Sequence, residues 1–395
     1  MLFSSLRTAA FRNLADAETF TGAKDVFLVG ENGQGKTNFL EALYFCAYAS
    51  SFRTTHDSCI AQNSFLQESF SQNSIFQNGQ KSFSAQVKIL QSVNDEILVK
   101  FETGKKSIFL NKKRITDRKE LLSVAPSIIF CHEDMEFVSG SPERRRWFID
   151  QTLSLYDPVY LDDLRRYRHV LKNRNKILHD CAAGVMSGRA DQVLDALDLQ
   201  FAEYGKKLME KRIIAVEEFS EVFGRLYEEV SGIKGISVKY AGSWKFNISD
   251  LSNSNIDHIV SYLQQRRSAE MSAGISLSGP HRDRYQFVQN YSSDVSADFT
   301  VTASTGQKRL LALLLRAAQA RRFSAATGLN PVLLLDDVLL EMDGEKRRRF
   351  LSVLPAYDQA FYTFLPEEPY QRYQKEDTLV YYVKEGALSL NENSR

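Results

Sequence analysis

The sequence predicts an α/β fold, a mixed sheet with flanking helices plus an antiparallel meander, split by an inserted, mainly helical lobe. Three observations predict it. Two continuous apolar runs, Val26–Val29 and Val332–Leu335, have the composition of strands buried in a parallel sheet. Segments of apolar/polar alternation follow the first run. Between about residues 142 and 270 apolar residues recur instead at steps of three and four, the spacing of a helix face. The division is therefore 1–138 with 272–395 for the α/β domain, and 139–271 for the helical insertion.

Taken in order, Leu2–Arg7 and Ala15–Phe20 read as strands bracketing a turn at Phe11–Leu14, and Val26–Val29 follows as a central strand. A helix is expected from Lys36, because Phe39, Leu40, Leu43 and Tyr44 share one face. Residues 50–80, rich in Ser, Gln and Asn with scattered Phe, read as a long, partly mobile surface excursion anchored by its apolar residues. Phe83–Ile89, Ile97–Phe101 and Ser107–Leu110 form the meander, and Pro126–Phe130 is a short buried strand. Leu194, Leu197, Phe201, Tyr204 and Leu208, then Val216, Phe219, Phe223, Leu226 and Val230, trace a coiled-coil-like seam with one slip. An ordinary bundle core explains it better than an extended rod. Beyond 275, Gln286–Val288 and Phe299–Val301 read as strands, 307–323 as an apolar helix, Val332–Leu335 as a strand, 343–354 as a helix, and Ala360–Thr363 with Leu379–Val383 as the last strands.

The chain has 395 residues, 43% apolar and 25% charged, with a formal net charge of +1. That balance argues against a globally basic nucleic-acid protein and leaves room for a local basic face. Cys46, Cys59, Cys131 and Cys181 show no metal-site spacing, so free thiols in a reducing compartment are expected. With no long apolar run, the reading is a soluble, cytoplasmic protein without a membrane partner.

The chemistry is carried by two segments. Gly30-Glu31-Asn32-Gly33-Gln34-Gly35-Lys36-Thr37 has the form G-x-x-x-x-G-K-T and follows a strand directly. Its glycines let backbone N–H groups close around phosphates, Lys36 reaches the terminal phosphates, and the Thr37 hydroxyl can ligate Mg²⁺. A chance glycine-rich turn is the bland alternative, and the flanking strand and helix count against it. The second segment is Val332–Leu335 running into Asp336-Asp337. Alone this is weak, because strands commonly end in acidic turns. Beside a phosphate loop, Asp336 is expected to hold Mg²⁺ and Asp337 to polarise the attacking water.

Between them lies Ser304-Thr305-Gly306-Gln307-Lys308-Arg309, opening an apolar helix. Ser304 can cap that helix; the segment also resembles the signature motif of ABC-type ATPases. The resemblance implies an ABC-type ATPase head in which Ser304, Gly306 and Gln307 close over ATP held by a second protomer, with Asp343 at the crossing point of an ATP-dependent homodimer. Within that class the chain resembles the RecF family, related to SMC and Rad50 heads. Phe11-Arg12-Asn13, Ser51-Phe52-Arg53-Thr54, Phe130 with Glu133-Asp134, Gly140–Asp150, Gly279-Pro280-His281-Arg282-Asp283, Asp336-Asp337-Val338-Leu339 and Glu341-Met342-Asp343 carry the likeness over nearly the whole chain. This chain departs from the family pattern at Arg284, at Tyr362-Thr363-Phe364, and in the enlarged 60–80 region. The likeness implies a weak, DNA-stimulated ATPase that clamps double-stranded DNA near single-strand gaps, acts in recombinational repair and replication restart, and helps RecR and RecO load RecA.

DNA contact has a separate argument. From 144 to 176 there are nine cations (Arg144, Arg145, Arg146, Arg165, Arg166, Arg168, Lys172, Arg174, Lys176) against four acids, with Tyr160 and Tyr167 interleaved. Such a stripe suits a phosphate backbone, and it equally suits a solvated face with internal ion pairs. Two rivals differ in class. A transporter-type or SMC/Rad50-like subunit would serve another partner, and an ATPase-linked nuclease would need further clustered acids in an appended domain, for which the roughly fifty residues after Asp343 are too few.

Overall fold

The computed structural model describes residues 2–62, 82–90, 95–186, 190–245, 256–292, 295–339 and 342–391. Most of the Ser/Gln-rich excursion, from 63 to 81, lies outside them, as do Leu340 and Glu341. In chain order the strands are β1 (Leu2–Ala9), β2 (Glu18–Phe20), β3 (Asp25–Val29), β4 (Phe83–Leu90), β5 (Asp95–Glu102), β6 (Lys105–Leu110), β7 (Lys113–Ile115) and β8 (Ser127–Phe130). They continue as β9 (Ile236–Ala241), β10 (Arg284–Asn290), β11 (Ser296–Asp298), β12 (Val332–Leu335), β13 (Gln359–Phe364), β14 (Leu379–Lys384) and β15 (Ala387–Leu390).

Contacts divide the chain into two units, Met1–Asp134 with Phe323–Arg395, and Met135–Arg322. The first holds two six-stranded sheets. One is antiparallel, in the order β2-β1-β4-β5-β6-β7, and contains the meander. The other runs β15-β14-β3-β13-β12-β8, parallel except for the edge strand β15. Strands β3, β8, β12 and β13 are buried on both faces, which is why their sequences read as unbroken apolar runs. Gln359, fully buried at the start of β13, accepts from Phe3 N at 2.7 Å and donates to the carbonyls of Phe3, Thr21 and Ala23. Both sheets are pinned through one side chain.

The parallel register sets the site. Leu335 pairs with Tyr362 and with Phe130, and Phe364 with Val29, so the carboxyl ends of β3, β13, β12 and β8 lie side by side. Residues 30, 336 and 363 thus emerge at one edge of the sheet, where open α/β sheets place their ligands.

The second unit is mainly helical. Helices Pro142–Tyr156, Pro158–Ala182, Ala190–Ser231 and Ile256–Ala273 pack with a three-stranded sheet, β11-β10-β9. Ala190–Ser231 is a single helix of 42 residues, and the expected slip does not interrupt it. Its buried positions include Asp198, Ala202, Gly205, Met209 and Arg212 as well as the apolar steps, so the stripe drifts with the 3.6-residue period of a bundle helix. Two readings are corrected. Phe299–Val301 is no strand: the Asp298 carboxylate accepts from Thr300 N at 2.8 Å and caps a short helix, Phe299–Thr302. The region 142–270 also contains β9.

Candidate functional site

The phosphate loop closes between β3 and the helix Lys36–Tyr48. Gly35 caps that helix at φ +117°, a conformation L side chains rarely adopt, and a Cβ there would stand 3.1 Å from Asn13 Oδ1. Gly35 gives no side-chain cap and the first turn holds no acid. The first-turn N–H groups are therefore left for an anion, at the positive end of the helix. Lys36, only 4% exposed, donates from Nζ to the Gly30 carbonyl at 2.6 Å and to Glu31 O at 3.1 Å. Glu31, Asn32 and Gly33 are exposed.

Four oxygens gather beside it. Thr37 Oγ1 donates to Asp336 Oδ1 at 2.9 Å. Thr363, at the end of β13, accepts from Asp337 N at 2.7 Å, and its hydroxyl stands 3.0 Å from Asp337 Oδ1 and 3.3 Å from Asp336 Oδ1. The single threonine of Tyr362-Thr363-Phe364 thus reaches both acids. Asp337 itself sits at φ +49°, a strained backbone for a non-glycine residue.

Withdrawal from water, and then the neighbouring Asp337, push the Asp336 carboxyl up to about 7, against the hydrogen bonds from Thr37 and Thr363. A carboxyl raised above its unfolded value contributes stability that is complete below about pH 4 and lost as pH climbs through 7. Asp336→Asn is therefore expected to raise the melting temperature of the nucleotide-free protein by several degrees at pH 8 and hardly at all at pH 4.5, which scanning fluorimetry at the two pH values checks.

Two supports escaped sequence reading. Glu385-Gly386 turns between β14 and β15 with φ of 49° and 79°, and Gln34 accepts from both, through Oε1 from Glu385 N at 2.6 Å and through its carbonyl from Gly386 N at 2.8 Å. A Cβ on Gly386 would meet Asn13 O at 1.7 Å, so the turn is wedged against the loop. A two-residue turn ending in Gly was the available signal. The other support is Glu41, fully buried on the loop's helix: Arg12 grips it bidentately at 2.8 and 3.0 Å, Ser51 donates at 2.5 Å, and Arg53 stands at 3.4 Å while also holding Asn38. A carboxylate flanked by Leu40, Ala42 and Leu43 was the legible sign.

In the second unit, Ser304 and Gln307 form a reciprocal cap: Ser304 N donates to Gln307 Oε1 at 2.7 Å and Gln307 N to Ser304 Oγ at 3.3 Å. Ser304 and Gly306 are exposed, and nothing lies within 4 Å of where a Gly306 Cβ would be. Asp343, in the first unit, is exposed and caps the helix Gly344–Val353 through Lys346 N at 2.9 Å.

The basic stripe divides. Arg174 is fully buried, bonded to Asp198 at 2.7 Å, Glu270 at 2.6 Å and Ser276 at 2.8 Å, and so staples three helices; its reading as a DNA contact is withdrawn. Arg145 and Arg146 point inward to the carbonyls of Val138, Tyr285 and Asp283. Tyr160 and Tyr167 are core residues. Arg144, Arg165, Arg166, Arg168, Lys172 and Lys176 remain exposed, with Arg165 and Arg166 near Asp162 and Asp163 at 3.6 and 3.9 Å. None of the four cysteines is in a disulfide. Among the described residues no helix is long and apolar enough to cross a membrane, and no cluster of three His, Cys, Asp or Glu could hold a metal by itself.

A phosphate loop at the carboxyl edge of a parallel sheet, with an Asp-Asp strand end beside it, defines an ATPase head. Residues 2–386 match the model of the RecF/RecN/SMC N-terminal domain family. The chain is 41% identical over 379 residues, 95% of its length and 98% of the relative's, to the DNA replication and repair protein RecF of Treponema pallidum (strain Nichols). It is 32% identical over 92% of its length, and 93% of the relative's, to the RecF of Staphylococcus aureus (strain JH9). Among solved structures, the recombination mediator protein RecF bound to ATP superposes with a TM-score of 0.84 at 24% identity, covering 99% of this chain and 97% of that one. An Smc head bound to the C-winged helix domain of ScpA superposes at 0.55, covering 99% and 97%. The fold and site are those of an ATP-binding ABC/SMC-like head. This chain belongs to the RecF family of DNA replication and repair proteins.

Proposed function

We propose that this protein is an ATP-switched clamp for double-stranded DNA in the cytoplasm, pairing head to tail with a second copy when ATP is bound and released by slow hydrolysis. The observation that carries the reading is the convergence of Thr37, Asp336, Asp337 and Thr363 beside the phosphate loop, with the Thr37 hydroxyl 2.9 Å from Asp336. Lys36 exchanges its two carbonyl partners for the terminal phosphates. Asp337, held by Thr363, orients the attacking water and accepts its proton. Ser304 and Gly306, both exposed, and the half-buried Gln307 complete the partner's nucleotide, and Asp343 lies at the crossing between copies.

The donor set fits Mg²⁺. That ion takes hard oxygen ligands, usually one or two from protein and the remainder from phosphate and water, and Thr37 Oγ1 with Asp336 Oδ1 offer such a pair. When bound it supplies charge neutralisation of the phosphates. Thr37 and Asp336 would hold it, the Asp336 carboxylate in its charged form.

The duplex is held by Arg144, Arg165, Arg166, Arg168 and Lys172, a reading supported by their exposure on the helices Pro142–Tyr156 and Pro158–Ala182. Kinship with the RecF family supports the finer role: action at single-strand gaps, with RecR and RecO, in placing RecA.

Gel filtration with ATP, ADP or no nucleotide, with and without blunt duplex at two salt concentrations, tests both halves. ATP alone is expected to double the mass, and Lys36→Met to remain monomeric at every ATP concentration. Five phosphate contacts should cost several hundredfold in duplex affinity, roughly, between 50 and 200 mM salt. A Lys36→Met dimer formed on ATP, or salt-insensitive duplex binding, overturns the corresponding half.

A further inference from the structure

On the second unit a recess of about 530 Å³ lies between the start of the helix Pro142–Tyr156, the helix Pro158–Ala182 and the turn Pro280–Arg282. Five arginines line it, Arg144, Arg146, Arg168, Arg212 and Arg282, against two carboxylates, Glu143 and Asp150. Asp150 is consumed internally, accepting from Arg212 and Tyr160 at 2.7 and 2.6 Å. Glu143 stays at the rim, 3.1 Å from Arg146. Arg212 and Arg146 are committed to the core, whereas Arg144, Arg168 and Arg282 are exposed. Arg144 pairs with surface Glu136, a contact of small worth in solvent; Arg168 touches Asp150 at 3.2 Å, and Arg282 donates to the Ser276 carbonyl at 3.3 and 3.4 Å.

The recess also holds Trp147, 39% exposed, an unusual place for an indole beside so many cations. Its ring stacks on Phe137 with centroids 5.6 Å apart and planes at 27°, which fixes its orientation. His281, on the far wall, is pushed down to about 4 by burial and by Arg282 and Arg146, so it is neutral at pH 7 and the positive charge is that of permanently ionised guanidiniums.

A fixed, partly open aromatic face, three exposed guanidiniums and a volume in the range of small-ligand sites match one nucleotide: a flat base and a phosphate. We propose that this recess binds a single unpaired nucleotide, its base on Trp147 and its phosphate on Arg144, Arg168 and Arg282. The inference deepens the DNA reading above and rests on it for the biological source of the ligand; the same chemistry could be met by a free nucleotide.

The chain has two tryptophans, and Trp244 is 1% exposed with its indole N–H bonded to Ser278, so quenching of emission by a ligand reports Trp147. Full-length protein is titrated with pentathymidylate, with thymidine monophosphate and with blunt duplex, following emission and, separately, polarisation of labelled DNA. Pentathymidylate is expected to quench saturably. Trp147→Ala and Arg168→Gln should each weaken it roughly tenfold, Trp147→Phe much less, and Trp147→Ala should leave blunt-duplex affinity within about twofold. Equal affinity for the monophosphate supports the recess and assigns it to free nucleotide; preference for the oligonucleotide supports it and assigns it to a strand. Pentathymidylate binding without quenching, or unchanged binding by Trp147→Ala, overturns the proposal. Loss of ATP-dependent duplex binding with quenching intact would instead sink the clamp and spare the recess.

Discussion

Asp337→Asn should bind ATP and pair with a second copy normally while hydrolysing it about a hundred to ten thousand times more slowly, the usual span for removing a positioned general base. The change is confined to chemistry for structural reasons. Asn tolerates the left-handed region at least as well as Asp, so the φ of +49° adds no new strain. The backbone N–H that donates to Thr363 Oγ1 at 2.7 Å is retained, and so is an oxygen able to accept from that hydroxyl. What is lost is the proton acceptor. The expected picture is an ATP-bound dimer that persists for hours on a sizing column, with phosphate release near background. A variant that still released phosphate at the parent rate would remove Asp337 from the chemistry, and one that no longer paired would show that it serves the interface.

Legibility of this chain followed where local chemistry is unforgiving. The loop Gly30–Thr37 was readable because phosphate binding demands glycine at φ +117° and a lysine and hydroxyl at fixed offsets. The strand ends at Asp336-Asp337 were readable because a parallel strand buried on both faces has no other composition to show. Three residues of alternation, as in Phe299–Val301, do not outweigh a single Asp298 cap, and β9 was hidden between long helices although Ile236 and Val238 alternate with Ser237 and Lys239. Charge counting failed differently. It cannot tell a solvated cation from a buried one, and Arg174 and Arg212, both inside, look in sequence like Arg166 and Arg168 outside. The exposed aromatic beside those cations is Trp147, not the two tyrosines that the spacing brought forward.

Arg212→Met should be the most destabilising single substitution in the second unit. Arg212 lies 2% exposed in the long helix, bonded to Asp150 Oδ1 at 2.7 Å, Asp283 Oδ2 at 2.8 Å, the Pro280 carbonyl at 2.7 Å and the Tyr160 hydroxyl at 3.1 Å. Tyr240 adds a bond to Asp283 at 2.5 Å, and Ser243 N another at 2.9 Å. The cluster thus ties three helices' worth of chain to β9 and the Pro280–Arg282 turn. Methionine fills the stem's volume and leaves Asp283 buried without its cation and Asp150 with only the exposed Arg168, which costs about 3 to 5 kcal/mol. Urea unfolding followed by tryptophan emission, both Trp147 and Trp244 lying in this unit, should shift its midpoint down by roughly 1 to 2 M. Burial already raises the Asp283 carboxyl even with Arg212 opposing it, and without the arginine it rises further. A raised carboxyl stabilises the fold below its unfolded value and loses that contribution as pH rises, so the deficit of Arg212→Met should be smallest near pH 5 and largest near pH 8. Adding Asp150→Asn and Asp283→Asn in the same chain should recover much of the loss, because the cost lies in the unpaired charges rather than in the absent bond. A deficit independent of pH and unrelieved by the two amides would place the role of Arg212 in packing alone.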